Sequence, residues 1–258
     1  MNFELLRSRL KLKHLVNHQN LIKKHPHVSK FLISGLLTGS LLTGSNVLPA
    51  YAQPIKDTAY VSKVDLSRLV VSRLQEVLPK EVGPLAEQVE QQISRILEES
   101  FGIKAVAKLD GNKLNQSYGL IGAEQHLPRY PGDTAEKHGQ FIQSGITPGL
   151  GAWGYVKDSE KEKYYVAVQT LYLPDWSTRL AYLRDWYRYR KVVVVNPVNG
   201  KAVVAVVGDA GPAAWTGKHF GGSPEIMAYL ELNTGYQKGP VILFFMDDPQ
   251  DKVSLGPL

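Results

Sequence analysis

The residues best suited to chemistry lie in a glycine-rich loop that follows an apolar strand. The stretch VVAVVGDAGPAAWTGKHFGG (203–222) carries a carboxylate, Asp209, and an imidazole, His219. A carboxylic acid that is kept protonated by burial can deliver a proton to a leaving group, and a nearby histidine can assist that transfer. Asp209 and His219 are therefore the candidate catalytic residues of this chain.

Asp209 has a second interpretation that the sequence leaves open. Aspartates in turns commonly accept hydrogen bonds from the backbone amides of their own loop, here residues 210–213. Such hydrogen bonds stabilise the ionised form of a carboxylate and make it a poor acid. Asp209 is thus either a proton donor or the residue that holds its loop in shape.

Aromatic side chains near this loop are candidates for binding a substrate. All four tryptophans lie between residues 153 and 215. Aromatic faces can stack on sugar rings, although tryptophans are also ordinary core residues. We select Trp153, Tyr155 and Trp215 as candidate substrate-binding residues, and small neighbours in the loop favour exposure of Trp215.

A second group of potential ligands lies in the segment 102–148, which is rich in glycine and proline. Its members are Glu124, His126, Asp133 and His138, and their intervals match no familiar metal-ligand spacing. We therefore predict satisfied surface histidines, no metal site and no cofactor. The chain has no cysteine, which excludes disulfides, thiol catalysis and thiolate metal sites.

The elements that position these residues are predicted from periodicity. Two amphipathic segments, 62–79 and 84–102, indicate an α-helical hairpin because only a short connection separates them. Its apolar stripes are expected to pack on the main domain, although a partner-docking arm is the alternative. After the irregular segment 102–148, which we expect to wrap the fold, several short β-rich runs in 149–258 predict a small closed β-barrel.

The C-terminal portion resembles the double-psi β-barrel superfamily of rare lipoprotein A, expansins and related lytic transglycosylases. The likeness rests on VVVVNPVNGKAVVAVVGDAGP (192–212), GGSPEIMAYL (221–230) and GPVILFFM (239–246), with GLGAWGYV (149–156) as a looser match to a first strand. It covers roughly residues 149–247. The fold class that it implies is mainly β, with a double-psi barrel preceded by the helical hairpin, α+β overall.

This resemblance implies an action on cell-wall polysaccharide, either lytic cleavage of peptidoglycan or non-hydrolytic loosening. The family pattern has one aspartate in Asp-x-Gly-Pro, which corresponds to Asp209. A second precedes the helix, in His-Phe-Asp or Asp-Leu-Ser, and the chain has glycine there, within His219-Phe220-Gly221-Gly222-Ser223. Glu225 is a poor substitute on this reading, because the first turn of a helix lowers the pKa of a carboxylate.

The charge of the chain is concentrated at its N-terminus. Of 30 lysines and arginines, 7 lie in residues 1–52, against 1 of the 24 acidic residues, which leaves 23 of each sign in residues 53–258. A neutral body lacks the positive field that favours nucleic acid, so no nucleic-acid partner is predicted. The basic start, the apolar run 31–45 and Ala50-Tyr51-Ala52 predict a signal peptide over 1–52 and a secreted protein, with membrane attachment only if cleavage fails.

Three functions remain open from the sequence. The first is a cell-envelope protein that binds or remodels wall polysaccharide without full lytic activity. The second is an active lytic-transglycosylase-like enzyme with Asp209 as the general acid and base. The third is an interaction protein that uses the helical hairpin.

Overall fold

The computed structural model describes residues 63–258 of the chain. The predicted signal peptide, 1–52, and the linker that follows it lie outside the described residues. Within the part that is described, no helix has both the length and the apolar character needed to cross a membrane.

The predicted helical hairpin is confirmed. It consists of α1 (Lys63–Val77) and α2 (Glu87–Phe101). Gly102 ends α2 with φ of 67° and donates its backbone N–H to the Glu98 carbonyl at 2.9 Å, as a left-handed cap does. The apolar stripes of both helices are buried against strands of the main domain, in a cluster with Val70, Leu74, Ile93, Leu97, Val193, Val195, Val204, Ile242 and Phe244.

Ten strands and three further α-helices follow the hairpin. The strands are β1 (Ala105–Val106), β2 (Lys108–Leu109), β3 (Asn112–Lys113), β4 (Tyr118–Ala123), β5 (Tyr165–Val168), β6 (Lys191–Val195), β7 (Ala202–Ala210), β8 (Phe220–Gly222), β9 (Lys238–Met246) and β10 (Gly256–Pro257). The helices are α3 (Ser159–Lys163), α4 (Leu180–Tyr187) and α5 (Pro224–Tyr229). Short 3-10 helices at 135–138, 142–144, 170–172 and 214–216 complete the regular structure.

Six of these strands close into a barrel, as the sequence predicted. The order around the ring is β9–β4–β8–β5–β7–β6 and back to β9. The β4–β8 and β5–β7 pairs are parallel, and the other four pairs are antiparallel. If β4 is exchanged with β7, β5 with β8 and β6 with β9, each neighbouring pair in the ring becomes another neighbouring pair with the same parallel or antiparallel orientation. The ring therefore consists of two interlocked, similarly connected halves, which is the arrangement expected of a double-psi barrel.

The position of the first barrel strand differs from the prediction. The segment GAWGYV (151–156) forms a tight turn closed by a Gly151–Gly154 bridge, and the first barrel strand is β4, within the segment expected to be irregular. Gly119 and Gly122 weaken the sequence pattern that predicts a strand at β4, yet the packing leaves no space for a side chain at either position. A Cβ on Gly119 would lie 2.9 Å from the Cβ of His219, and one on Gly122 would lie 2.5 Å from Cε of Lys218.

The two faces of the barrel strands differ in character because successive side chains alternate between them. The interior is filled by apolar side chains that include Ile121, Val166, Val168, Val192, Val194, Val203, Ala205, Val207, Phe220, Leu243 and Phe245. Residues between them, such as Ala167 on β5 and Gly221 on β8, face outward. The candidate polar residues gather on this outer face.

Candidate functional site

The candidate site is a strip of the outer barrel face that crosses β7, β5 and β8. Asp209 is paired with Ala167, and Ala167 is paired on its other side with Gly221. Because neighbouring strands lie about 4.8 Å apart, the Cα atoms of Asp209 and Gly221 are separated by about 10 Å. Between them lies only the methyl group of Ala167, which is buried, at 3% exposure.

Asp209 accepts two backbone hydrogen bonds at one edge of this strip, both through the same oxygen. Its Oδ1 accepts the backbone N–H of Ala152 at 2.7 Å and that of Ala210 at 2.8 Å. The first bond ties down the Gly151–Gly154 turn, which is distant in the chain, so Asp209 does organise backbone structure. Both bonds use Oδ1, and within residues 63–258 no hydrogen bond to Oδ2 is found.

A second carboxylate, Glu124, stands over the opposite edge of the strip. A Cβ on Gly221 would lie 2.4 Å from both Cγ and Oε1 of Glu124, and the three atoms nearest to that Cβ all belong to Glu124. The Glu124 side chain therefore occupies the space that a side chain at position 221 would need. Glu124 follows directly after β4, and its N–H donates to the Gly222 carbonyl at 2.9 Å, which fixes its backbone beside β8.

The pKa of Glu124 is raised from the ordinary value for glutamate. Burial is the main cause, since it disfavours the charged form, and the negative charge of Asp209 adds to the effect. Lys218 opposes the rise, with its Nζ 3.6 Å from Oε1 of Glu124. The ammonium group is itself held by the Ala123 carbonyl at 2.9 Å. The two carboxylates of the strip thus have different environments.

His219 does not hydrogen-bond to Asp209. Its Nδ1 accepts the backbone N–H of Leu120 at 2.9 Å, so the neutral ring carries its proton on Nε2. Burial and the charge of Lys238 lower the pKa of His219. The ring therefore belongs to the junction between β4 and β8, and the assistance of Asp209 by His219 stays a prediction.

The three predicted binding aromatics lie in different environments. Trp215 is 89% exposed, in the loop that leads from Asp209 to Lys218. Trp153 is half-buried, and its indole N–H donates to the Arg184 carbonyl at 2.9 Å, so it docks the 151–154 turn on α4. Tyr155 is also half-buried, just beyond the same turn. Only Trp215 offers a fully open ring to a ligand.

A buried polar cluster lies beside the strip and corrects the prediction of surface histidines. His126, His138 and Glu162 are buried, and one potential ligand atom from each lies within 4.8 Å of the others. Glu162 Oε1 contacts His126 Nδ1 at 3.1 Å, and Oε2 contacts His138 Nδ1 at 2.8 Å. Asp133 faces the other nitrogen of His138, whereas Glu124 belongs to the strip described above.

The contacts of this cluster form one hydrogen-bond network. The remaining nitrogen of His126 faces the Gln140 carbonyl at 3.2 Å, so all four ring nitrogens of the two histidines face oxygen acceptors. A carbonyl or ionised carboxylate can only accept, so each contact is a hydrogen bond when the facing nitrogen carries a proton. The distances of 2.8–3.2 Å are those of hydrogen bonds. The cluster is therefore a buried hydrogen-bond network.

Glu225 corrects a second prediction. It lies in the first turn of α5, after the N-cap Ser223, but it is only 8% exposed. Burial raises the pKa of Glu225 to about 6, against the lowering expected from the helix terminus. Within the described residues neither of its buried oxygens has a hydrogen-bond partner. Desolvation exceeds the helix-dipole effect here because the helix has only six residues and its first turn is covered.

The cluster predicts a pH dependence of stability. Burial alone would lower the pKa of His126, but the hydrogen bond and charge of Glu162 outweigh it, so that the pKa is raised above 6.5. At Glu162 burial raises the pKa, but the hydrogen bonds and charges of His126 and His138 outweigh it, so that the pKa of Glu162 is lowered below 4.5. The contribution of His126 to the free energy of unfolding is fully present below pH 6.5 and is lost as the pH rises through its folded pKa. The contribution of Glu162 is present above pH 4.5 and is lost as the pH falls through its folded pKa.

We therefore expect the free energy of unfolding to be greatest between pH 4.5 and 6.5 and to fall as the pH rises through the folded pKa of His126. Ionisation of Glu225 also lowers the stability, but it does so between pH 4.5 and its pKa of about 6, which places the maximum in the lower part of that window. Urea unfolding at several pH values of the wild type, His126→Gln and Glu225→Gln would separate the two contributions. A wild-type profile as flat above pH 6.5 as that of His126→Gln would contradict the charged state assigned to His126.

The class that these observations define is a protein with a closed, six-stranded mixed β-barrel and a two-carboxylate strip on its outer face. No protein-family model, no curated protein and no solved structure matches the chain. What is established is therefore the barrel, and membership of the superfamily that its motifs resemble stays a proposal.

Proposed function

We propose that this protein binds cell-envelope polysaccharide along the strip between Asp209 and Glu124. The observation that carries the proposal is the pair of carboxylates, Asp209 and Glu124, which lie two strands apart on one side of the barrel. The Ala167 methyl group between them is buried, so a hydroxyl-rich chain would bind at the partly exposed carboxylates, to which its hydroxyl groups can donate. Lys218 supplies a hydrogen-bond donor at the same edge.

The loop 211–218 supports this proposal by placing an aromatic ring next to the strip. It begins after Asp209 and ends at Lys218, and Trp215 projects from it almost fully exposed. An exposed tryptophan contributes nothing to a hydrophobic core, so its apolar area is available to a ligand. In this proposal two carboxylates and one exposed aromatic ring contact the sugar.

The location that we propose is extracytoplasmic, because the basic and apolar pattern of residues 1–52 is typical of an export signal. This location would bring the barrel into contact with wall polysaccharide. The interaction-protein alternative is less well supported, since the apolar stripes of α1 and α2 are occupied by the barrel.

The test is co-sedimentation of the purified protein with peptidoglycan sacculi. We expect the wild type to sediment with sacculi and Trp215→Ala to bind about tenfold more weakly, because a lost aromatic stack costs about 1.5 kcal/mol. The exposure of Trp215 predicts that the melting temperature of the variant stays unchanged.

A matched control is Val198→Ala, which removes another exposed apolar side chain. Val198 lies in the turn before β7, at the opposite end of that nine-residue strand from Asp209. It should bind sacculi like the wild type. Equal binding by Trp215→Ala and wild type would show that Trp215 does not contact the ligand. If the wild type does not sediment with sacculi, the proposed ligand is wrong.

A further inference from the structure

We propose that His126, His138 and Glu162 bind one zinc ion. Glu225 supplies a second buried carboxylate that balances the charge of the ion. The inference goes beyond the proposed function and does not depend on it, since it concerns the buried cluster rather than the strip. It departs from the sequence prediction of no metal site, which compared ligand spacings within residues 102–148 and so left out both glutamates.

The first argument is that three potential ligands converge. Nδ1 of His126 lies 3.1 Å from Oε1 of Glu162, and Nδ1 of His138 lies 2.8 Å from Oε2. All three side chains are 0–3% exposed, and one ligand atom from each lies within 4.8 Å of the others. Tetrahedral zinc separates neighbouring ligand atoms by about 3.3–3.5 Å. Side-chain shifts of a few tenths of an ångström would therefore admit the ion.

The second argument is that the outer nitrogen of each ring has an acceptor. Nε2 of His126 faces the Gln140 carbonyl at 3.2 Å, and Nε2 of His138 faces Oδ2 of Asp133 at 3.1 Å. Asp133 is itself held by the Nε–H of Arg129 at 3.0 Å. A histidine that binds a metal through one nitrogen almost always donates its other N–H to a carbonyl or carboxylate, which fixes the ring. Both histidines have this arrangement, with Nδ1 turned inward.

A cation also accounts for the acceptors around both rings. Hydrogen bonds to all of these acceptors require two protons on each ring, and therefore two positive charges on rings whose centroids are 4.4 Å apart. With zinc on the two Nδ1 atoms, both rings are neutral and keep their proton on Nε2. The hydrogen-bond network is then the metal-free form of the cluster, and the pH profile predicted above applies to that form.

Glu225 provides an independent observation that points to a cation. It is 8% exposed, and within the described residues neither of its buried oxygens has a hydrogen-bond partner. The Ser223 hydroxyl donates to the Lys163 carbonyl, which fixes the first turn of α5 against the end of α3 that carries Glu162. The charges of His126 and Glu162 both act on Glu225. A buried carboxylate needs a compensating charge, and two carboxylates balance one zinc ion.

The donor set and its burial define the kind of site. Imidazole nitrogen and carboxylate oxygen are ligands of zinc, whereas Mg²⁺ and Ca²⁺ are bound through oxygen. Because the ligands are closed off from solvent, the role that we infer is structural. The ion would fasten the segment 126–138 to α3 and α5. Binding of a structural zinc ion contributes directly to the free energy of folding.

The experiment is zinc titration of the full-length protein after its metals have been removed with EDTA. Serine replaces the four histidines of residues 1–52 in every sample, so that only the cluster is tested: His14, His18, His25 and His27. We expect one zinc ion per chain. At free zinc about 100 times the Kd, the melting temperature should rise by about 5–10 °C. Mg²⁺ at the same concentration should cause no rise.

The matched variants are Glu162→Gln and Glu160→Gln, which remove one charge each from the same helix. Glu162→Gln should bind zinc about 100-fold more weakly or worse, since even a partner of a ligand contributes about 10–100-fold. Glu160, whose side chain is 58% exposed, should be replaceable without effect on zinc affinity. His138→Gln should abolish the rise in melting temperature, and Glu225→Gln should weaken zinc binding by about tenfold.

The titration can overturn the inference in two ways. A protein that binds no zinc at one ion per chain, or whose melting temperature zinc leaves unchanged, overturns it. Equal zinc affinities of Glu162→Gln and Glu160→Gln overturn it as well. Each variant is compared with its own metal-free melt, so a loss of stability does not imitate a loss of zinc binding. If metal-free Glu162→Gln does not fold, the comparison of His138→Gln with Glu160→Gln decides in its place.

Discussion

Glu162→Ala is expected to destabilise the protein by about 3–5 kcal/mol, the usual cost of removing one partner from a buried charged network. The side chain of Glu162 is 3% exposed and contacts a ring nitrogen of both His126 and His138. Its Oε1 also accepts the backbone N–H of Leu127 at 3.1 Å. Alanine would leave two buried imidazole rings and one amide without their acceptor. Urea unfolding at pH 6 measures the difference directly.

The matched control is Glu160→Ala, two residues earlier on the same short helix. Glu160 pairs with Lys163 at 3.2 Å, but its side chain is 58% exposed, and exposed ion pairs contribute about 0–1 kcal/mol. The two variants remove the same chemical group from the same helix and differ in burial. Equal effects of the two substitutions would contradict the buried network assigned to His126, His138 and Glu162.

The network also bears on the proposed site because it lies directly after Glu124 in the chain. The Tyr165 hydroxyl donates to the Gln125 carbonyl, and Glu162 accepts from Leu127. These bonds fix the chain on both sides of His126 against α3 and β5. Burial, and then the charges of four carboxylates led by Glu124 and Asp209, raise the pKa of Tyr165 well above the ordinary value. Glu162→Ala is thus expected to weaken the proposed binding of sacculi by displacing Glu124.

The sequence predicted the elements that have strong periodicity. The hairpin stripes and the short β-rich runs in 149–258 are present because each depends on residues that are close in the chain. The closed barrel follows from the number of short strands. The strand β4 was missed because its two glycines weaken the local pattern, and the reason for them, contact with Lys218 and His219, lies far along the chain.

The candidate site was predicted only in part for the same reason. Asp209 and the exposure of Trp215 could be inferred from the loop itself, whereas the proximity of Glu124 to Gly221 depends on the parallel pairing of β4 with β8. Spacing rules that compare Glu124 with His126 and His138 grouped it with the wrong partners. Glu162 was overlooked because it lies in a run of charged residues, SEKEK, that is typical of a solvated helix. Burial of one member of that run is a tertiary effect.

Gly200→Ala is expected to destabilise the protein by about 2–4 kcal/mol through the junction between α1 and the barrel. Gly200 has φ of 74°, which costs alanine about 1 kcal/mol. A Cβ there would lie 2.3 Å from the backbone oxygen of Ser67 on α1, and relieving such an overlap costs a further 1–3 kcal/mol, roughly, since α1 must shift. Val70 and Leu74, fully buried on the same helix, would move with it.

Gly102→Ala provides the matched control, because Gly102 also has positive φ, 67°, but a Cβ there meets nothing within 4 Å. Urea unfolding of the two variants should differ by the cost of the Ser67 contact, and equal losses would show that the hairpin does not press on the 196–200 turn as described. Gly200 lies at the opposite end of β7 from Asp209. Folded Gly200→Ala should therefore bind sacculi like the wild type, because the substitution lies far from the strip that we propose as the binding site.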